Sequence, residues 1–148
     1  MKFDGTVTIQ APREKVWQYL TDPEKVSECA PGLESVEVLV PNERFRAVAS
    51  VGFGAVKARF TVDAEWTELD APTRARMKIS GKAPGSAVNG TSEMALSDAE
   101  GDATLLAWSA DITIIGAIAS LAARLMGVVT KTLTSSFFEC VRGKIEAR

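Results

Sequence analysis

Few residues of this sequence are of a type that could carry out acid–base or nucleophilic chemistry. The 148-residue chain contains no histidine, so the commonest general base and the commonest metal ligand are both missing. None of the remaining candidates has a partner at a spacing that would create a nucleophile, a general base or an oxyanion-binding donor. The sequence therefore predicts a binding domain without catalytic residues or a metal site. The candidates are Tyr19, Asn42, Asn89, Ser92, Cys29 and Cys140.

The two cysteines bear on where the protein works. Cys29 and Cys140 are too few for a disulfide framework and lack metal-ligand spacing, so we expect buried free thiols in a reducing compartment. No signal peptide precedes the first strand pattern. The longest uncharged run, twelve residues between Asp111 and Arg124, is shorter than the roughly 20 residues that cross a bilayer. These features predict a cytoplasmic protein, whose membrane contact would be peripheral, at the inner face of the cell membrane.

The charge balance excludes one class of partner. The chain has 17 Lys and Arg against 19 Asp and Glu, a formal net charge of −2. Proteins that bind nucleic acid usually present a strongly basic face. We therefore expect no nucleic-acid partner.

Hydrophobic periodicity predicts the order of the elements. A first alternating strand, residues 3–9, precedes two short helices that begin at Pro12 and at Asp22-Pro23. About six alternating strands follow, and the clearest spans residues 56–66. From 117 to about 145 the apolar period changes from 2 to 3.6 residues, which predicts one long C-terminal helix.

This order predicts the fold class. An antiparallel sheet of six or seven strands with one apolar face needs a cover, and only the C-terminal helix is long enough to provide it. We expect an α+β helix-grip fold in which a curved sheet wraps around that helix, as a single ligand-binding domain over residues 1–148.

Small side chains on the inner face predict a cavity. Alanine, glycine and serine alternate there with large apolar residues, so facing small side chains would leave space unfilled. The alternative is a filled core in which each small side chain meets a large one. In the first interpretation, replacing Ala122 or Gly90 by Leu should block the ligand without unfolding the protein. The predicted ligand-binding residues are Phe45, Phe60, Met77, Met94, Trp108, Ile112, Ala122, Leu125, Met126 and Val129.

One surface of the predicted C-terminal helix is basic. Arg124, Lys131, Phe138 and Arg142 follow one another at intervals of seven, seven and four residues, so they lie on one side of the helix. A basic surface with an exposed phenylalanine fits an anionic membrane or an acidic partner. The alternative is an ordinary solvated helix face.

Short motifs follow one another in order over the whole chain. They are Phe3-Asp4-Gly5, Ala11-Pro12 with Val16-Trp17, Asp22-Pro23-Glu24, Cys29-Ala30-Pro31-Gly32-Leu33, Val51-Gly52 with Gly54, Gly85-Ser86-Ala87 with Gly90, Thr104-Leu105 with Trp108, and Ile115-Gly116. This ordered set resembles the CoxG family, named after the G subunit of carbon monoxide dehydrogenase. The resemblance implies a START-like helix-grip fold, in agreement with the fold expected above.

The resemblance also implies a function. It predicts a non-catalytic carrier of a hydrophobic small molecule, a menaquinone-like quinone that is bound without a covalent link, working with an aerobic molybdenum-containing carbon monoxide dehydrogenase. The alternatives are an assembly or membrane-recruitment factor for that dehydrogenase without a ligand, and an enzyme of the polyketide cyclase or hydrolase kind.

Overall fold

The chain forms one curved antiparallel sheet with a long helix across its concave face. The computed structural model describes residues 1–146, which contain seven strands and three helices. The predicted α+β helix-grip architecture is confirmed. The elements are β1 (Lys2–Ile9), α1 (Arg13–Leu20), α2 (Pro23–Val26), β2 (Leu33–Val40), β3 (Arg44–Phe53), β4 (Val56–Asp70), β5 (Arg74–Ala83), β6 (Ser86–Asp98), β7 (Thr104–Gly116) and α3 (Ala119–Glu146).

The sheet is a meander that closes back on its first strand. The strand order is β1-β7-β6-β5-β4-β3-β2, with every neighbouring pair antiparallel. Hairpins join successive strands from β2 to β7, whereas β1 pairs with the last strand, as in Gly5 opposite Trp108. The two short helices fill the connection between β1 and β2.

Local signals in the sequence explain where the helices begin. The Asp22 carboxylate accepts a hydrogen bond from the Glu24 backbone N–H at 3.0 Å, and Pro23 occupies the first position of α2. Helix α3 begins at Ala119, two residues later than the predicted start, because Gly116 adopts a φ of 99° at the end of β7. That left-handed conformation favours glycine and turns the chain from the sheet into the helix.

The interior consists of two separate hydrophobic clusters along α3. The cluster beneath the C-terminal half of the helix contains Ile9, Val16, Leu96, Leu106, Val141 and Ile145, all at most 2% exposed. The cluster beneath the N-terminal half is centred on Phe53, Ala58, Phe60 and Ala122. The interior is therefore divided into two regions, and the larger apolar cavity belongs to the C-terminal one.

The expectation of two free thiols is wrong. Cys29 and Cys140 form a disulfide across a sequence separation of 111 residues, with their Cα atoms 5.5 Å apart. Sequence spacing could not reveal this pair, because the fold itself brings the segment after α2 against the last turns of α3. The bond links that segment to the long helix.

Candidate functional site

An apolar cavity lies between the sheet and the C-terminal half of α3. Its volume is about 390 Å³. Strands β4 to β7 form one wall through Trp66, Met77, Met94 and Trp108, and the segment around α2 closes one end. Because these side chains are inward-pointing members of four adjacent strands, the pleat of the sheet sets their common direction.

Aromatic side chains form the contact between the sheet wall and the helix wall. The rings of Trp108 and Phe138 are 6.4 Å apart, and Phe138 meets Phe137 edge-on at 5.1 Å. Gly5 on β1 makes room for this arrangement, since a Cβ atom there would lie 2.9 Å from Nε1 of Trp108. The result is a wall rich in aromatic side chains, contributed by both the sheet and the helix.

Polar side chains in the cavity are few and neutral. The Thr134 hydroxyl donates to the backbone carbonyl of Thr130 at 2.8 Å. Glu93 is on the opposite face of β6, where its carboxylate pairs with Arg74 and Arg76. Within residues 1–146, neither the Ser92 hydroxyl nor the Trp108 indole N–H has a hydrogen-bond partner. Both residues line the cavity, whose surface is otherwise mainly apolar.

The other chemistry-bearing candidates do not line this cavity. The Tyr19 hydroxyl is 3.5 Å from Oε1 of Glu28 and 3.4 Å from Sγ of Cys29. Burial and the neighbouring Glu28 carboxylate raise the pKa of Tyr19. Asn42 and Asn89 are exposed. The structure does not bring these groups together with Ser92, so they form no acid–base pair.

Three of the ten predicted ligand-binding residues line the cavity, namely Met77, Met94 and Trp108. Phe45 packs against Trp66 with ring centroids 6.4 Å apart, and Ile112 is half-buried elsewhere on the inner face. The other five belong to the N-terminal cluster, where Ala122 is fully buried and adjacent to large side chains. These five are Phe60, Ala122, Leu125, Met126 and Val129.

The structure corrects the expectation that Ala122→Leu and Gly90→Leu would block the ligand without unfolding the protein. Ala122 is completely buried outside the cavity, so a leucine there would overpack the N-terminal cluster. A Cβ atom on Gly90 would lie 2.6 Å from the backbone oxygen of Asp111 on the neighbouring strand. Both changes would disturb the fold, so neither is a clean test of ligand binding.

Sequence reasoning missed the helix and loop residues of the cavity. Leu133 and Phe137 were visible in the helical periodicity, but the pattern does not say which turn of the helix lies over empty space. Leu20, Val26 and Pro31 come from segments whose position depends on the tertiary fold. No local signal in the sequence points to them.

The four residues of the predicted basic surface of α3 do not form one continuous exposed surface. Phe138 lines the cavity and is not an exposed apolar residue. Arg142 pairs with Glu146 at 3.5 Å near the end of the helix. Arg124 and Lys131 are exposed toward the N-terminal half.

A shallow groove of about 220 Å³ runs between β3 and α3. Its walls include Val51, Val128 and Val129, and it shares Pro31 and Leu133 with the cavity. An apolar path therefore continues from the cavity toward the N-terminal half of the helix.

Comparison with known proteins identifies the family. The sequence profile of the G subunit of carbon monoxide dehydrogenase (CoxG) matches residues 5–146. The chain belongs to the CoxG family. No curated protein sequence matches this CoxG-family chain at a significant level.

Solved structures confirm the START-like fold. A conserved protein from Geobacillus kaustophilus is 25% identical and superposes with a TM-score of 0.90, covering 99% of this chain and 95% of its own. The Zhui aromatase/cyclase from Streptomyces sp. R1128 is 20% identical, with a TM-score of 0.77 and coverage of 100% and 94%. A START superfamily protein from Mycobacterium smegmatis is 13% identical, with a TM-score of 0.71 and coverage of 98% and 97%.

Two kinds of feature are missing from residues 1–146 of this CoxG-family protein. No helix in that range is long and apolar enough to cross a membrane. No group of three or more histidine, cysteine, aspartate or glutamate side chains in the range could hold a metal ion.

Proposed function

We propose that this CoxG-family protein is a non-catalytic carrier of a hydrophobic small molecule, a quinone such as menaquinone, that serves an aerobic molybdenum-containing dehydrogenase of the carbon monoxide type. The observation that carries the proposal is the apolar cavity of about 390 Å³ beneath α3. Pockets for small molecules are mostly apolar, with a few polar groups that fix orientation. The dehydrogenase partner follows from the family name alone.

The walls of the cavity favour a flat ring system. Burying a fused aromatic headgroup of about 200 Å² at about 25 cal/mol per Å² would contribute roughly 5 kcal/mol to binding. Trp108 on the sheet and Phe138 on the helix supply aromatic rings that such a headgroup can contact. Redox chemistry would belong to the quinone, and the protein would hold and present it.

The two donors without protein partners favour a ligand with oxygen acceptors. The Ser92 hydroxyl and the Trp108 indole N–H are diagonal neighbours on β6 and β7, since Ser92 pairs with Ala110 and Trp108 with Met94. Quinone carbonyl oxygens are acceptors attached to an apolar ring. An isoprenoid tail would extend along the groove that shares Pro31 and Leu133 with the cavity.

The first test is whether the purified protein carries such a ligand. We expect native mass spectrometry to show a bound species, and its organic extract to have the ultraviolet spectrum of a naphthoquinone. Added menaquinone should quench tryptophan fluorescence, because Trp66 and Trp108 line the cavity. An empty protein whose fluorescence ignores menaquinone would overturn the carrier proposal.

Matched tryptophan variants locate the quenching. Trp66→Phe with Trp108→Phe leaves only Trp17, which is 9% exposed in the C-terminal cluster, and should lose most of the signal. Trp17→Phe should keep it. The reverse pattern would place the bound quinone outside the cavity.

A specific observation also favours membrane recruitment as a second candidate function. The turns at 53–56 and 83–86 and the start of α3 meet at one end of the molecule, here called the tip. The Ala117 N–H donates to the carbonyl of Gly85 at 2.8 Å. The tip exposes Val56 by 44% and Ile115 by 54%. It is a small apolar surface without a partner among residues 1–146.

The three segments that meet at the tip carry charges of one sign. Segments 50–62, 79–92 and 112–138 contain five basic and no acidic residues, whereas the rest of the chain has twelve basic and nineteen acidic ones. Of the five, Arg59 pairs with Glu34 at 3.1 Å. Each lysine or arginine near an anionic bilayer contributes about 1 kcal/mol to binding. This distribution supports peripheral contact between the tip and an anionic lipid surface.

Vesicle binding tests the tip. The protein should sediment with vesicles of phosphatidylglycerol and phosphatidylcholine but not with phosphatidylcholine alone, and added salt should release it. Arg124→Glu with Lys131→Glu should abolish sedimentation. Lys15→Glu with Lys144→Glu, two exposed lysines elsewhere, makes the same charge change and should not. Equal loss in both variants would show that net charge, and not the tip, governs binding.

An enzyme of the polyketide cyclase kind has less support. The likeness to the Zhui aromatase/cyclase, at 20% identity, shows the fold alone. A cyclase of this kind needs an acid or base beside its substrate. Of Tyr19, Ser92 and Asn89, only Ser92 lines the cavity, so the three groups do not converge there. We therefore favour binding over catalysis.

A further inference from the structure

Both cysteines of the disulfide are close in sequence to residues that line the cavity. On one side, Cys29 is followed by Ala30 and Pro31, which line the cavity. On the other, Cys140 comes within one turn of Phe137 and Phe138, which form the helix wall. A change in this bond therefore acts on two walls of the cavity at once.

The segment 27–32 makes few polar contacts with α3 besides this bond. Its backbone hydrogen bonds remain local or go to β3, as in Ser50 N–H to the carbonyl of Gly32 at 2.9 Å. Within residues 1–146, its one polar approach to α3 is the 3.9 Å between the Glu28 carbonyl and Sγ of Cys140. A disulfide sulfur has no proton to donate, so the covalent link and the apolar packing of Cys29 in the C-terminal cluster hold the segment to the helix.

We propose that the Cys29–Cys140 disulfide is a redox-controlled clasp on the cavity, closed when oxidised and opened by a dithiol reductant. Opening would let segment 27–32 move away from α3 and speed exchange of the bound hydrophobic ligand. This second consequence rests on the carrier function proposed above. The opening itself does not.

The chemistry is a thiol–disulfide exchange with no other co-reactant. One thiolate of the dithiol attacks Sγ of Cys140, which is half-buried, whereas Cys29 is only 6% exposed. A mixed disulfide forms and Cys29 leaves as a thiolate, which takes a proton from solvent. The second thiol of the reductant then releases Cys140, so two electrons pass to the protein and the reductant becomes a disulfide.

Tyr19 supports the departing sulfur. Its hydroxyl lies 3.4 Å from Sγ of Cys29 and can donate a hydrogen bond to the thiolate as it forms. Because burial and Glu28 raise the pKa of Tyr19, the phenol keeps its proton at the pH of the exchange. The group next to the leaving sulfur is therefore a donor.

Hydrogen–deuterium exchange tests the clasp without any ligand. Reduction of the wild-type protein with dithiothreitol should speed amide exchange in residues 27–33 and around 137–140, and leave the central strand β4 unchanged. Cys29→Ala with Cys140→Ala should behave like the reduced protein, and dithiothreitol should then have no further effect. Unchanged exchange in 27–33, or a uniform increase over the whole chain, would overturn the clasp.

A stopped-flow measurement tests control of the cavity. With menaquinone as the probe, tryptophan fluorescence should recover several-fold faster on dilution of the reduced protein, and reoxidation with oxidised glutathione should restore the slow rate. Equal rates in both redox states, together with a local exchange response, would refute control of the cavity and leave the carrier function intact. Absence of quenching in both states would instead refute the carrier function, and the amide exchange result would decide the clasp by itself.

Discussion

Ala110→Leu should lower the affinity for menaquinone tenfold or more, which corresponds to at least about 1.4 kcal/mol of binding free energy. Ala110 lies on the inner face of β7, half-buried, and lines the cavity beside Ser92. A leucine side chain there would occupy space that the flat ring system needs. Because it would fill a void with apolar atoms, we expect the midpoint of thermal unfolding to stay the same or rise.

Ala107→Leu is the matched control for this substitution. Ala107 lies on the same strand but is exposed on the outer face. The identical change there should leave the affinity and the unfolding temperature unaltered. If the titration of tryptophan fluorescence gives Ala110→Leu the affinity of the wild-type protein, the ligand does not occupy this cavity.

Gly90→Ala should reduce the free energy of unfolding by about 1–3 kcal/mol, the usual cost of overpacking. The added Cβ would lie 2.6 Å from the backbone oxygen of Asp111 and 3.3 Å from Cα of Ile112. Backbone atoms of a central strand pair cannot give way as a flexible side chain does. The strands β6 and β7 must therefore separate locally.

Gly127→Ala makes the same chemical change in α3 and should have the opposite sign. A Cβ there meets nothing within 4 Å, and alanine is favoured over glycine in a helix by about 0.5–1 kcal/mol. Urea unfolding of both variants measures the difference directly. A Gly90→Ala protein as stable as Gly127→Ala would mean that β6 and β7 are not packed as the structure shows.

Much of the fold could be predicted because its signals are local. Alternation over 56–66 and the change of period after 117 each describe a single element and need no contact with the rest of the chain. The helix starts at Pro12 and Asp22 depend on residues within one turn. The pairing of β1 with β7 joins distant parts of the chain and has no local signal. A seven-stranded sheet around one helix could still be predicted, because the apolar face of the sheet must be covered.

The site could be predicted only in part. The alternation of residues along a strand shows which face of the sheet a side chain lies on, but not which part of α3 lies opposite it. Met94 and Phe60 both point inward, yet one lines the cavity and the other is buried in the N-terminal cluster. The difference depends on what α3 places opposite each of them, Phe138 beside Trp108 in one region and Ala122 in the other. Such contacts between the sheet and the helix depend on the tertiary fold and cannot be read from either segment alone.

Composition, periodicity and ordered motifs are properties of the chain alone, and they were enough to predict the helix-grip architecture, the CoxG family and the lack of histidine chemistry. The three-dimensional fold was needed to show which end of the interior is empty, that Phe138 lines the cavity, and that Cys29 meets Cys140 across 111 residues. The physical reason is that an empty volume and a disulfide each require groups from distant segments to occupy defined positions. No pattern within one segment records those positions.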